Sequence, residues 1–172
     1  MVDPKVKEFV RNLYPIAKEV CRQMARPGEV IPPVGCLAQA AQETGWNLKP
    51  KSGIFFGIKT NPSMSGPSVT VGTWEDGPGG TQRIKDSFLA YPDFASACRG
   101  YCEFLQKNAR YKKALTQNKG IPERFLFWIR YTVNGSGLET ETGYATDRRY
   151  YDLCSANVQK ILAALQELGI PE

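Results

Sequence analysis

The chain has 172 residues, 42% of them hydrophobic and 23% charged, with a formal net charge of +5, which fits one globular domain large enough to bury a core. It contains no histidine, and that excludes Ser-His-Asp and Cys-His catalysis as well as His-based zinc hydrolase sites. No apolar run approaches a membrane span. The positive charge is dispersed, with no basic run, phosphate loop or RNA-binding motif, so it favours approach to an anionic polymer and not recognition of a nucleic acid.

Asp3-Pro4 is a helix-start signal, an N-cap followed by a first-turn proline. Val6, Phe9, Val10, Leu13, Ala17, Val20, Cys21 and Met24 then recur at helical spacing, and Arg26-Pro27-Gly28 ends the helix. Met1-Val2-Asp3-Pro4 carries no secretory pattern, so the expectation is cytosolic synthesis with later release, or a secreted protein trimmed of its leader. Pro32-Pro33 opens a second helix running to about Thr44, with Gly45 in the C-terminal position.

From Lys51 to Tyr91 the helical period disappears, and Gly and Pro become frequent. Ile54 to Lys59 reads as a short strand. Val69 to Glu75 and Arg83 to Tyr91 flank Asp76-Gly77-Pro78-Gly79-Gly80, a hairpin signal with a long tip. Asp93 is an N-cap for a helix burying Phe94, Ala97, Cys98, Tyr101, Cys102 and Leu105. Tyr111 to Leu115 is a short helical piece. Ile121-Pro122-Glu123 starts a helix to about Thr132, Asn134 to Gly137 is a loop, and the last helix runs from about Asp147 to Leu168 with Tyr151 on its buried face. The fold class is α+β, mainly α: a helical body (1–50 and 92–172) with a small inserted antiparallel β lobe (about 51–91), and a cleft between them suits an extended substrate.

The five cysteines, Cys21, Cys36, Cys98, Cys102 and Cys154, are odd in number, and no Cys-x-x-Cys pair occurs. They read as small buried apolar groups in a chain made in a reducing compartment; no metal site and no cofactor are expected.

Leu37 to Trp46 carries the strongest chemical signal. It sets Glu43 at the end of an Ala-rich helix, followed by Gly45 and Trp46. The negative end of the helix and partial burial both oppose ionisation of a carboxyl group there. A carboxyl group kept protonated near neutral pH is what a glycosidase requires as its general acid. The plainer reading makes Glu43 a solvated helix-end residue and Trp46 a core anchor.

These segments resemble glycoside hydrolase family 73, bacterial β-N-acetylglucosaminidases that cut peptidoglycan. The likeness runs from about Phe9 to Leu162: Leu13-Tyr14-Pro15-Ile16-Ala17, the Ala-Gln-Ala-Ala-x-Glu-x-Gly-Trp run ending at Trp46, Phe56-Gly57-Ile58-Lys59, Phe88 to Tyr91 with Ala95 to Leu105, Arg110-Tyr111, and Gly143-Tyr144-Ala145-Thr146-Asp147 followed by Tyr150 or Tyr151. The chain departs from the family pattern at Thr44, which stands for a common Ser, and at Gly53-Ile54-Phe55, which stands where Asn-Asn usually precedes the Phe-Gly-Ile-Lys strand.

The resemblance implies a lysozyme-like fold, a peptidoglycan glycan strand as partner and action on the bacterial cell wall by a monomer. It makes Glu43 the general acid. It implies a second acidic residue in the β lobe: Glu75 from Thr73-Trp74-Glu75, then Asp76, then Asp86. Tyr144 matches a tyrosine beside the scissile sugar, or is a buried turn residue. Trp46 is a sugar platform or core; Phe56 and Asp76 are further substrate-side candidates, and Asp147 is an expected helix cap. The rival readings are a lytic transglycosylase or muramidase, and an inactive wall-binding module.

Overall fold

The computed structural model describes residues 1–60, 66–77, 80–133, 139–140, 144–145, 147 and 149–172, with the side chains of 73–77, 80–83, 133 and 139–140 left aside. Helix α1 spans Pro4–Met24, and its Asp3 cap accepts the Lys5 N–H at 2.7 Å. Helix α2 spans Pro33–Thr44. The hairpin strands β1 (Ser68–Gly77) and β2 (Gly80–Leu89) follow, then α3 (Phe94–Lys107), α4 (Lys112–Thr116) and α5 (Pro122–Arg130). A two-residue pair, β3 (Thr132–Val133) with β4 (Glu139–Thr140), precedes α6 (Tyr150–Leu168). Short 3-10 turns occupy Lys51–Gly53 and Ala109–Tyr111. This is the mainly helical α+β class expected.

Helix α2 is the centre of the body. Every residue from Val34 to Ala41 is buried, so the helix is enclosed on all sides and not amphipathic. Alanines and Gly35 make that possible: short side chains let α1, α5 and α6 approach together. A Cβ at Gly35 would stand 2.8 Å from the Phe125 ring of α5. Phe9 and Ala17 of α1, Tyr101 and Leu105 of α3, Ile129 of α5 and Val158 and Ile161 of α6 complete one continuous core.

Three expectations about this framework need correction. Residues 54–59 form no strand; only Lys59 bridges to Phe88, with the Thr60 N–H donating to the Ser87 carbonyl at 2.8 Å and the Leu89 N–H to the Ile58 carbonyl at 2.9 Å. A strand would alternate its faces, yet Phe55 and Phe56 are both buried, and Gly57 turns the chain at φ 61°. The hairpin tip is short, because pairing continues to Gly77 opposite Gly80 and a two-residue connection suits antiparallel strands best. The last helix starts at Tyr150, not Asp147. Asp147 instead makes an Asx-type turn ahead of it, its carboxylate accepting the Arg149 N–H at 2.8 Å. The buried face of α6 accordingly opens with Tyr150, while Tyr151 is half-buried. The expected 134–137 loop lies outside the described residues.

Gly35→Ala tests the close packing of α2. The added methyl meets Phe125 in a filled core, so a loss of about 1–3 kcal/mol is expected, read from urea unfolding at unchanged far-UV circular dichroism.

Candidate active site

Gln39 and Glu43 lie one turn apart on α2 and so share a face. Gly45 closes the helix in the left-handed conformation (φ 59°, ψ 40°), with its N–H on the Ala41 carbonyl. Trp46 continues the left-handed turn at φ 63°. That turn exposes the Glu43 carboxyl at one side of the helix end and throws the indole to the other.

Glu43 sits at the base of a cleft of about 570 Å³, whose walls include Gly57, Lys59, Arg110, Tyr111, Tyr144 and Tyr150. A larger depression of about 730 Å³, between Leu13, Tyr91 and Phe94, is mostly apolar and contains no carboxyl group in a perturbed protonated state. The cleft is therefore the chemically equipped site.

A buried chain of polar groups leads to Glu43. The Tyr101 hydroxyl donates to Gln39 Oε1; Gln39 Nε2 donates to the Tyr150 hydroxyl oxygen at 3.1 Å; and the Tyr150 hydroxyl donates to Glu43 Oε1 at 3.0 Å. The order dictates the direction. With Tyr101 donating to the Gln39 carbonyl, the Gln39 amide faces Tyr150. With that lone pair occupied, Tyr150 spends its single proton on Glu43. Gln39 and Tyr101 are fully buried, so the chain is shielded from competing water.

The facing wall is the turn after Phe56. Tyr144 donates its hydroxyl proton to the Phe56 carbonyl, and its ring stacks on Tyr150 with centroids 5.9 Å apart. Gly57 then passes so close to the acid that a Cβ there would lie 2.6 Å from Glu43 Oε2. Its φ of 61° and this approach both require glycine.

Water reaches Glu43 through the open cleft mouth, while protein atoms crowd the carboxyl group on its other sides. That desolvation is the dominant effect and pushes the Glu43 pKa up to about 7; the Tyr150 hydrogen bond pulls the other way. Glu43 therefore holds a proton at a pH where ordinary carboxyl groups have lost theirs. Lys59 on the cleft wall pairs with Asp86 at 2.7 Å, and this contact holds the Asp86 carboxyl below its usual range.

The other residues proposed from sequence are distributed unevenly. Tyr144 lines the cleft beside Glu43. Phe56 contributes its carbonyl, whereas its ring stacks on Tyr101 at 4.3 Å inside the core. Trp46 is not in this cleft: it packs edge-on against Phe9 at 5.4 Å, with Lys160 over its face. Glu75 and Asp76 pair with Gln82 and Thr81 near the outer end of the hairpin; their side chains lie outside the described residues. Along a straight ribbon Glu75 stands about 13 Å beyond the level of Asp86. Asp147 lies at the cleft edge, paired with Arg149 at 3.2 Å. Gln39 was not singled out from sequence, and Tyr150 only as one of two alternatives after the Gly143–Asp147 segment. Gln39 had a readable signal, a polar residue inside an otherwise apolar run one turn before Glu43; Tyr150 had none beyond its neighbourhood with Tyr144.

The chain resembles known proteins over most of its length. The glucosaminidase profile, described as mannosyl-glycoprotein endo-beta-N-acetylglucosaminidase, matches residues 18–164. The chain belongs to the glucosaminidase family. It is a glycoside hydrolase. The peptidoglycan hydrolase FlgJ of Vibrio parahaemolyticus serotype O3:K6 is 31% identical over 161 residues, covering 90% of this chain and 47% of that protein. The chain thus spans about half the length of the curated relatives it matches. A crystal structure of a peptidoglycan hydrolase mutant from Sphingomonas sp. A1 superimposes with a TM-score of 0.69 at 25% identity, covering 94% of this chain and 99% of the other. The truncated glycoside hydrolase domain of Salmonella typhimurium FlgJ gives 0.63 at 26% identity, covering 92% and 98%. The helical body is lysozyme-like, as expected for members of this family.

Two measurements probe the site. Gly57→Ala forces the acid and the turn apart, and a misplacement of this kind is expected to lower turnover about 100-fold with the fold retained. The second concerns stability. A carboxyl group with a pKa of about 7 when folded, against an ordinary 4.5, binds its proton more tightly folded than unfolded. Its contribution is complete below the unfolded value and is lost as pH rises through the folded one. Glu43→Gln removes that loss, so its melting temperature relative to the parent is expected to rise from about pH 5 to about pH 8.

Proposed function

We propose that this glucosaminidase hydrolyses the β-1,4 bond on the reducing side of N-acetylglucosamine in peptidoglycan, acting on the bacterial cell wall. The observation that carries this reading is Glu43 at the base of an open cleft, its pKa raised to about 7 and the Tyr150 hydroxyl donating to its carboxyl group. Relatives named as peptidoglycan hydrolases support the substrate. The net charge of +5 favours approach to an anionic wall.

Glu43 delivers its proton to the leaving oxygen of the muramic acid as the glycosidic bond breaks. Carboxylate develops on Glu43 at that moment, and the Tyr150 hydroxyl already points at it, so the donor is in place before the charge forms. Tyr144 has given its proton to the Phe56 carbonyl. Its role in this reading is to hold the Phe56-Gly57 turn against the acid, with its oxygen still able to accept from a sugar hydroxyl or amide.

Glu75 remains the preferred second carboxylate, to activate water or stabilise the oxocarbenium-like charge, with Asp76 next and Asp86 third. A separation of ~6.5–9.5 Å between the two carboxyl groups corresponds to inversion, and ~5–5.5 Å to a covalent retaining route. The position of Glu75 far along the hairpin favours the longer separation, with the hairpin bending over bound glycan. A route through the substrate acetamido group requires Glu43 without a nearby carboxylate partner.

Product analysis tests the bond and the reaction together. Digested muropeptides are expected to carry reducing N-acetylglucosamine ends; anhydro-muramic ends would make the enzyme a transglycosylase, and no released ends would make it a binding module. Glu43→Gln is expected to lower turnover by about 100-fold to 10,000-fold without unfolding; near-full activity on cell walls would remove Glu43 from the mechanism. Activity is expected to decline above about pH 7 as the acid loses its proton, and Tyr150→Phe is expected to move that limb to higher pH, because the hydrogen bond it removes favours the charged form.

A further inference from the structure

Three cysteines dispersed in sequence meet at one point in the core, and a fourth adjoins them. Cys21 comes from the last turns of α1, Cys36 from the first turn of α2, and Cys98 from near the start of α3. Their sulfurs all lie within 4.8 Å of one another, and Cys36 and Cys98 are 3.6 Å apart. Cys102, one turn after Cys98, interacts with the Cys21 and Cys98 thiols. All four are between 0% and 2% exposed.

We propose that these thiols form a closed structural site for a soft tetrahedral divalent ion of the zinc class, with Cys21, Cys36 and Cys98 as ligands and Cys102, the adjoining thiol on α3, turning in as the fourth. Zinc–thiolate bonds of about 2.3 Å place sulfurs about 3.8 Å apart in a tetrahedron, and the Cys36–Cys98 edge already matches. All-sulfur donors select soft ions over magnesium or calcium. Three separate helices supply the ligands, so the convergence is tertiary and not an accident of one helical repeat.

Cys36 and Cys98 both sit near helix N-termini, where the partial positive charge stabilises an anion. On binding, each coordinating thiol releases its proton to solvent and the ion sheds its water; no electrons move. With the ligands buried, the ion has no open position for substrate, so its work is to fasten α1, α2 and α3. Cys36 lies one turn before Gln39 on α2. The clasp therefore stands directly behind the polar chain that orients Glu43. Cys154, whose thiol interacts with Tyr150 on α6, takes no part.

The test uses the whole chain, produced with added zinc and purified under reducing conditions without chelator. Elemental analysis is expected to find about one zinc per chain. The cobalt-substituted protein is expected to show thiolate charge-transfer and tetrahedral d–d bands. Cys36→Ser and Cys98→Ser are expected to lose the metal, and Cys154→Ser to keep it. Removing the ion with a mercurial reagent is expected to lower the melting temperature by about 10 °C or more. Should the serine variants fail to fold, the cobalt spectrum and the zinc released per thiol blocked in the parent protein decide alone. Zinc-free protein with no cobalt–thiolate bands overturns the proposal, as does a Cys36–Cys98 disulfide in a peptide mass map. None of these readings depends on activity toward cell walls.

Discussion

Everything in the cleft depends on one arrangement: a carboxyl group crowded by protein atoms, yet open to the cleft, at the end of a helix enclosed on every side. The burial of Glu43 raises its pKa to about 7, and the same burial demands that its remaining contacts be fixed in advance. The Tyr101–Gln39–Tyr150 chain answers that demand. The donor aimed at Glu43 is oriented by groups a full helical turn deeper in the core. A general acid benefits from this opposition. Desolvation keeps the proton on in the ground state, and the waiting hydroxyl stabilises the anion as the proton leaves.

The enclosing framework follows from side-chain size. Alanines on α2 and the missing Cβ of Gly35 let α1, α5 and α6 close round it, and the missing Cβ of Gly57 lets the facing turn touch the acid. Both are positions where a methyl group is too much. The proposed thiolate clasp would add a third constraint on the same helix, ahead of Gln39, and make the placement of Glu43 less dependent on packing alone. Such rigidity runs against stability in one respect, since an acid held in a partly dehydrated site weakens the fold once it ionises.

Much of this was legible in the chain. The helix starts at Asp3 and Asp93 and the stop at Gly45 are local chemistry, and they appear as read. Glu43 stood out because its helix position carries an electrostatic consequence computable from neighbours in sequence. The errors share a cause. Residues 54–59 have strand-like composition, but burying both Phe55 and Phe56 overrides alternation. Asp76 to Gly80 has turn composition, but the ladder runs through it to the Gly77–Gly80 pair. Trp46 follows Glu43 by three residues, yet two successive left-handed residues send it to the opposite side of the helix end.

The sequence by itself determined the helical body, the inserted hairpin and the exclusion of histidine chemistry, and it pointed to Glu43 as the candidate acid, because each rests on period, capping or composition over a few neighbouring residues. Tertiary structure alone decided which groups face that acid. Tyr150 lies 107 residues from Glu43 along the chain, and Cys36 lies 62 from Cys98; Gly57 matters only because the Phe56 turn lands on α2. Contacts of that range are set by how helices pack, and a helix's neighbours depend on the shape of the whole core, which no local window of sequence contains.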